Sequence, residues 1–225
     1  MNEHVMMRLR KGRTGGNNMD LTKLEKQLQQ PQPLFIGEET AFRSAVIIPL
    51  VEVNGETHLL FEVRSLIMRK QPGDISFPGG QIDATDANPE QAALRELYEE
   101  LSVPPSSAQV ISALSPMVVS PSFVIYPFVA KVDIREVNTM NRDEVDEVFT
   151  VPLKWLLETE PEVHQVYMQP TPSKDFPFEK IMNGKNYEWR ARALEEYFYE
   201  YNGYTIWGLT ARMMKYFLDL LRLER

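Results

Sequence analysis

Residues 79–103 read GGQIDATDANPEQAALRELYEELSV. Asn88 followed by Pro89 is an N-cap followed by a first-turn proline, and Pro104-Pro105 blocks continuation, so a helix is expected over residues 90–101. At 100° per residue Ala93, Leu94, Leu97 and Leu101 share one arc, and Arg95, Glu96, Glu99 and Glu100 share the arc behind it. One side is apolar and the other acidic. Glu96 lies three residues from Glu99 and four from Glu100, spacings at which like charges repel by about 0.2–0.5 kcal/mol per pair. Folding gains nothing from that repulsion, whereas a hard divalent cation gains oxygen ligands. Glutamate is also a strong helix former, and a solvated face with Arg95 pairing Glu99 explains the helix equally well in isolation. The glycines of FPGG, residues 77–80, shift the balance, because glycine permits close approach of backbone to a ligand or metal.

Outward from this helix the chain alternates strand and helix signals. Residues 44–52 and 58–63 are β-rich and flank Asn54-Gly55, the dipeptide that best marks a hairpin turn. A loop centred on Gly73 and Gly79-Gly80 leads into the acidic helix. Further strands are expected over residues 109–114, 118–119 and 126–134, a helix start over 151–157, and a last strand over 199–205. Residues 170–177 read as a loop within the domain. Near the end, Leu209, Met213, Phe217 and Leu220 recur at helical spacing, a pattern that packs on a sheet. Upstream, LTKLEKQLQQ after Asp20 carries Leu21, Leu24 and Leu28 on one side and stops before Pro31 and Pro33, so a short helix is expected there. Residues 1–18 mix Arg8, Arg10, Lys11 and Arg13 with Gly-Gly and Asn-Asn and have no apolar period, so they read as a flexible tail ahead of one domain over 19–225.

Composition narrows the chemistry. With 225 residues, 43% of them hydrophobic and 25% charged, the chain has the makeup of a globular domain. Its formal charge of −8 argues against coating nucleic acid or an anionic membrane. There is no cysteine, and the three histidines are scattered, so a metal would have to rest on carboxylates. The longest apolar run, residues 45–51, contains Pro49 and is far shorter than the roughly 20 residues of a membrane helix. The N-terminus lacks an apolar signal region, and the expectation is a soluble, cytoplasmic protein.

The stretch 79–103 resembles the Nudix box, which runs Gly, five residues, Glu, seven residues, then Arg-Glu-apolar-x-Glu-Glu-x-Gly-apolar. Between Gly80 and Arg95 there is one residue more, Asp86 stands where the first Glu is expected, and Ser102 replaces the final Gly. Ahead of it, RSLIMRKQPGDISFPGG (64–80) spaces Arg64-Ser65, Arg69, Gly73 and the Phe-Pro-Gly-Gly run as in the motif of the coenzyme A diphosphatase branch of Nudix hydrolases. Phe61-Glu62 stands where that branch usually has Leu-Thr. EVDEVFTVPL (144–153) and IWGLTA (206–211) also look like that branch.

The resemblance implies an α/β (α+β) Nudix fold, a mixed β-sheet sandwiched between helices. It implies hydrolysis of the diphosphate of coenzyme A, or of an acyl or oxidised derivative, to 3′,5′-ADP and a 4′-phosphopantetheine species. Another nucleoside diphosphate derivative, or a non-catalytic nucleotide sensor, is the alternative. Carried onto this sequence, Glu96, Glu99 and Glu100 would ligate Mg2+ (or Mn2+), and Arg95 would orient a carboxylate. Glu99, Glu144 and Glu147 are candidates for the general base, so that Arg95, Glu99 and Glu147 form the expected catalytic set. Arg64 and Arg69, with Gly79 and Gly80, would meet the substrate phosphates. The expected partner is a small nucleotide of the coenzyme A type, with no nucleic acid or membrane, acting on a monomer or homodimer.

Overall fold

A computed structural model describes residues 21–29, 35–137 and 139–222. The chain divides into two units, Met1–Glu39 and Thr40–Arg225. In the first, helix α1 (Leu21–Leu28) forms where the leucine spacing places it. The expected tail over residues 1–18 lies outside the described residues.

The second unit is a mixed α+β fold. In chain order it runs β1 (Phe42–Val53), β2 (Glu56–Arg64), β3 (Ile75–Ser76), β4 (Gly79–Gln81), α2 (Pro89–Leu101), β5 (Ala108–Ala113), β6 (Met117–Ser120), β7 (Phe123–Val132), β8 (Val145–Pro152), α3 (Leu153–Glu158), β9 (Glu162–Met168), β10 (Arg192–Tyr201), β11 (Tyr204–Ile206) and α4 (Gly208–Arg222). Eight strands make one sheet with the path β3-β2-β1-β7-β5, and β4, β6 and β8 pair with β1, β7 and β2 respectively. The β1–β7 pair is parallel, with Ala45 opposite Tyr126, and its other pairs are antiparallel. Strands β11, β10 and β9 form a second, antiparallel sheet.

Alternation along the central strands sends side chains to two cores. Ala45, Ile47 and Leu60 pack with Ala93, Leu97 and Leu101 of α2. Val46, Ile48, Leu59 and Phe61 pack on the other face with Met214, Phe217 and Leu218 of α4. The sheet is therefore covered by a helix on each side, as the resemblance implied. Truncating Leu97, which is fully buried, would cost about 2–5 kcal/mol.

Pro49 sits in a central strand, where a residue without N–H normally breaks the ladder. On that edge Ser44–Val46 pair with β4, the Ile47 N–H donates to the Pro78 carbonyl at 2.9 Å, and pairing with β2 begins at Leu50. The nitrogen of Pro49 faces the same side as that of Ile47, in the interval between the two partners. Nothing there requires a donor.

Several elements differ from the sequence expectations. The presumed loop around Gly73 and Gly79-Gly80 contains β3 and β4, because the glycines lie flat against β1: a Cβ on Gly79 would fall 2.4 Å from the Ala45 carbonyl oxygen. Residues 151–157 do not open a helix at Val151; β8 runs through Pro152 and α3 starts at Leu153. The expected strand over 199–205 is two strands, β10 and β11, joined at Asn202-Gly203 with φ of 49° and 87°, the same positive-φ turn as Asn54-Gly55. Strand β9 has no counterpart among the sequence expectations, and Ile134 belongs to a 3-10 turn beyond β7.

Candidate active site

Helix α2 is fixed at both ends. The Asn88 side chain accepts the Gln91 N–H at 2.9 Å, Pro89 opens the first turn, and Ser102 closes the last with φ 56°, its N–H donating to the Tyr98 carbonyl. Ser102 thus takes the left-handed conformation that the glycine of the box would take without strain. Burial of Ala93, Leu97 and Leu101 turns the acidic arc toward β4.

Arg95 is the hub of that arc. Its Nε and Nη2 grip the two oxygens of Asp86 at 3.0 Å each, Nη1 donates to Glu96 and Glu99 at 2.9 Å each, and Nη2 also donates to the Gln81 carbonyl at 2.9 Å. All five N–H groups are engaged. Asp86 in turn accepts the Asp83 N–H at 2.8 Å. The bond from Arg95 holds the Asp86 carboxyl below the usual carboxylate range, and the bond to Asp86 raises the guanidinium. Asp86, which stands at the first-Glu position of the box, was not among the expected site residues. Its signal was that position, and its role required the loop to fold back onto Arg95.

Glu96 and Glu100 meet the glycine strand. A Cβ on Gly80 would lie 2.6 Å from the Glu96 carboxylate, so only glycine leaves room for it. Glu100, 3% exposed, accepts the Gly79 N–H at 2.8 Å. Phe77, buried and stacked on Phe61 at 4.9 Å, pins the strand from the opposite face. Burial pushes the Glu96 carboxyl up against the opposing pull of Arg95. It pushes Glu100 well above the ordinary value, aided by the charge of Glu62 and opposed by the Gly79 N–H. Glu99 is half exposed and engaged by Arg95.

Glu62 of β2 is the second residue sequence reasoning missed. It is 1% exposed, accepts the Ser76 hydroxyl at 2.9 Å through Oε1, and its Oε2 is buried without a hydrogen-bond partner. Burial pushes its carboxyl up to about 7, against the pull of Ser76 and Arg64. Its advance signals were its place in the alternation of β2, on the same side as Leu60, and its departure from the Leu-Thr pair of the motif.

Of the two later acids, the structure brings Glu144 to the cluster, where its charge acts on Glu62, Glu96 and Glu100. Its turn is tethered by the Asn141 N–H to the Glu100 carbonyl at 2.9 Å and by the Ser65 N–H to the Glu144 carbonyl at 2.8 Å. Glu147 is exposed and accepts the Tyr204 hydroxyl at 3.1 Å. A cleft of about 350 Å3 opens beside the glycines, lined by Arg64, Gly79, Gly80, Phe123, Glu196 and Trp207 among others. Arg64 presents a buried Nε with no partner. Arg69 is exposed and does not line the cleft. A larger hollow of about 980 Å3, bounded by Glu52, Ser107, Lys131 and Arg135, contains none of the residues of the cluster.

Among the described residues no three acidic or histidine side chains form a finished cation cage. Glu96 and Glu99 are turned onto Arg95, and Glu100 onto Gly79. The donor chemistry nevertheless suits a divalent cation: Glu62 and Glu100 are both buried carboxyls, the charge of Glu62 acts on Glu100, and Glu62 Oε2 has no hydrogen-bond partner.

Fold and site together are those of an α+β domain that gathers carboxylates of one helix behind a glycine strand. Residues 41–170 match the NUDIX domain family, over half the chain, and the protein belongs to that family. Nudix hydrolases act on phosphorus anhydrides and generally need a divalent metal such as Mg2+. The chain is 38% identical over 125 residues to the mouse (Mus musculus) peroxisomal coenzyme A diphosphatase NUDT7, a match covering 56% of this chain and about half, 51%, of that protein. It is 31% identical over 191 residues to the uncharacterized Nudix hydrolase NudL of Escherichia coli, covering 84% of this chain and 87% of the relative. Among solved structures, a C. elegans Ap4A hydrolase binary complex aligns with TM-score 0.43 and 16% identity, covering 52% of this chain and 85% of that one. No described helix is long and apolar enough to cross a membrane.

Proposed function

We propose that this chain hydrolyses the diphosphate of coenzyme A, or of an acyl or oxidised derivative, releasing 3′,5′-ADP and a 4′-phosphopantetheine species. The observation that carries the reading is the run from Arg64 to Gly80: its spacing matches the diphosphatase motif, and its two ends, Arg64 and the glycine pair, line one cleft beside the acidic helix. The 38% identity to a coenzyme A diphosphatase supports the same substrate class.

In this reading Glu96, Glu99 and Glu100 hold Mg2+ or Mn2+. When bound, the cation neutralises diphosphate charge and lowers the pKa of water. The chain supplies the rest. Arg95, with no N–H to spare, positions Glu96 and Glu99 and leaves phosphate binding to Arg64, whose fork suits phosphate oxygens. Arg69, exposed at the turn after β2, meets the substrate as it enters. Glu144, tethered beside the cluster, takes a proton from the attacking water; Glu99 is the other candidate, and Glu147 shares that role only if it leaves Tyr204. Trp207 and Phe123 offer apolar walls for the nucleoside or pantetheine portion, and the compartment follows from where the substrate is found.

The test is a substrate panel with Mg2+: coenzyme A and acyl-coenzyme A against ADP-ribose, NADH and dinucleoside polyphosphates, with products identified by mass spectrometry. Release of 3′,5′-ADP with coenzyme A preferred is expected. Preference for another compound overturns the substrate assignment, and nucleotide binding without turnover by wild type overturns the enzyme reading.

A further inference from the structure

Glu62 and Arg64 form an unusual pair. Alternation along β2 places Glu62 on the side of α2, following Leu60, where its carboxylate is the strongest charge acting on Glu100. Its Oε2 is buried and has no donor, although the residue is 1% exposed. Two residues on, the Nε–H of Arg64 is buried and has no acceptor. A carboxyl oxygen and a guanidinium N–H, two residues apart on one strand, are both left without a partner and do not bond each other. The pairing of β2 with β8 shifts register between Val63 and Arg64, an irregularity that re-aims the side chain after it.

Buried polar groups without partners are rare and require an explanation, and a ligand that reaches both supplies one. A lone cation would satisfy only Glu62 and a lone anion only Arg64. A divalent cation carrying a phosphate satisfies both, since Mg2+ is held by a few carboxylates together with substrate phosphates. Glu62 also places a titratable carboxyl where the motif that this stretch resembles has the neutral hydroxyl of threonine.

We propose that Glu62 is a further ligand of the divalent cation, contributed by β2 in addition to the helix carboxylates, with the Nε–H of Arg64 donating to an oxygen of the phosphate that accompanies the cation. This rests on the metal-dependent hydrolase reading above. The test is Mn2+ binding to the whole chain, followed by the electron paramagnetic resonance signal of the free ion, for wild type, Glu62→Gln and Glu100→Gln, each with its melting temperature in EDTA. Glu62→Gln is expected to weaken Mn2+ binding 10-fold or more, on the scale seen when metal-site partners are removed. Arg64→Gln should leave binding of Mn2+ alone within about twofold and abolish the tightening caused by added pyrophosphate. If Glu62→Gln does not fold in EDTA, Glu62→Thr, the residue usual in the branch, takes its place with the same expectation. Wild-type affinity in the Glu62 variant while Glu100→Gln loses the ion overturns the Glu62 assignment alone. A wild type that takes up no Mn2+ overturns the cation reading itself. Pyrophosphate tightening that survives in Arg64→Gln overturns the phosphate contact.

Discussion

Raising the pH from about 5 to 8 should destabilise the metal-free protein, with Glu62 as a main cause. In the folded chain burial pushes its carboxyl up to about 7, against an ordinary value of 4.5. Between those values the native state holds a proton that the unfolded chain has released, so the stability this proton supports is complete below pH 4.5 and is lost as pH climbs to about 7. The slope is about 1.4 kcal/mol per pH unit, and close to 3 kcal/mol is gone at the top of the window. Glu96 and Glu100, both pushed up by burial, act in the same direction. Asp86, held low by Arg95, acts oppositely, and its contribution fades only as acid approaches and passes its ordinary 3.8. Urea denaturation in EDTA at about pH 5, 6, 7 and 8 measures the effect in wild type and Glu62→Gln, which cannot titrate. The variant's stability should fall less across this range, by about 3 kcal/mol. Two parallel pH profiles would refute the assignment of this buried proton to Glu62.

Ser102→Gly should stabilise the protein by about 0.5–1 kcal/mol, because the left-handed conformation costs serine about 1–2 kcal/mol and the gain is partly offset by glycine's freedom when unfolded; an unchanged urea midpoint would contradict this. Arg95→Lys replaces a five-donor fork by three donors on a point charge, releasing Asp86 and at least one glutamate. We expect kcat/KM to fall about 10–100-fold with a smaller change in KM, and a fall confined to KM would show that Arg95 binds substrate directly.

What could be read from the sequence was what is local. The span of α2 was legible because Asn88, Pro89 and an apolar period of 3.6 all act within one segment, and the β1–β2 hairpin was legible because Asn54-Gly55 dictates its own turn. The same turn at Asn202-Gly203 went unread, since the residues before it alternate weakly. Strand β9 gave no signal because all seven of its residues are exposed, so no core imposes a pattern on them. The site divides similarly. Spacing alone puts Arg95, Glu96, Glu99 and Glu100 on one arc. Asp86 depends on a loop folding back, and the choice between Glu144 and Glu147 depends on tethers from Ser65 and Asn141, contacts that one-dimensional periodicity does not carry. Glu62 looked like a mere departure in a motif until burial revealed its surroundings.

Pro49 also governs how the sheet can be mispaired. Its nitrogen lies in the one interval of that edge of β1 where a missing donor goes unnoticed. Sliding the strand by a single position would swing the ring toward β7, where an unbroken run of parallel pairs extends from Phe42 to Leu50. That slip would forfeit a ladder bond as well as reversing every side chain between the two cores. The imino acid thus serves as a register pin, penalising the alternative alignments that a run of valine and isoleucine would otherwise tolerate.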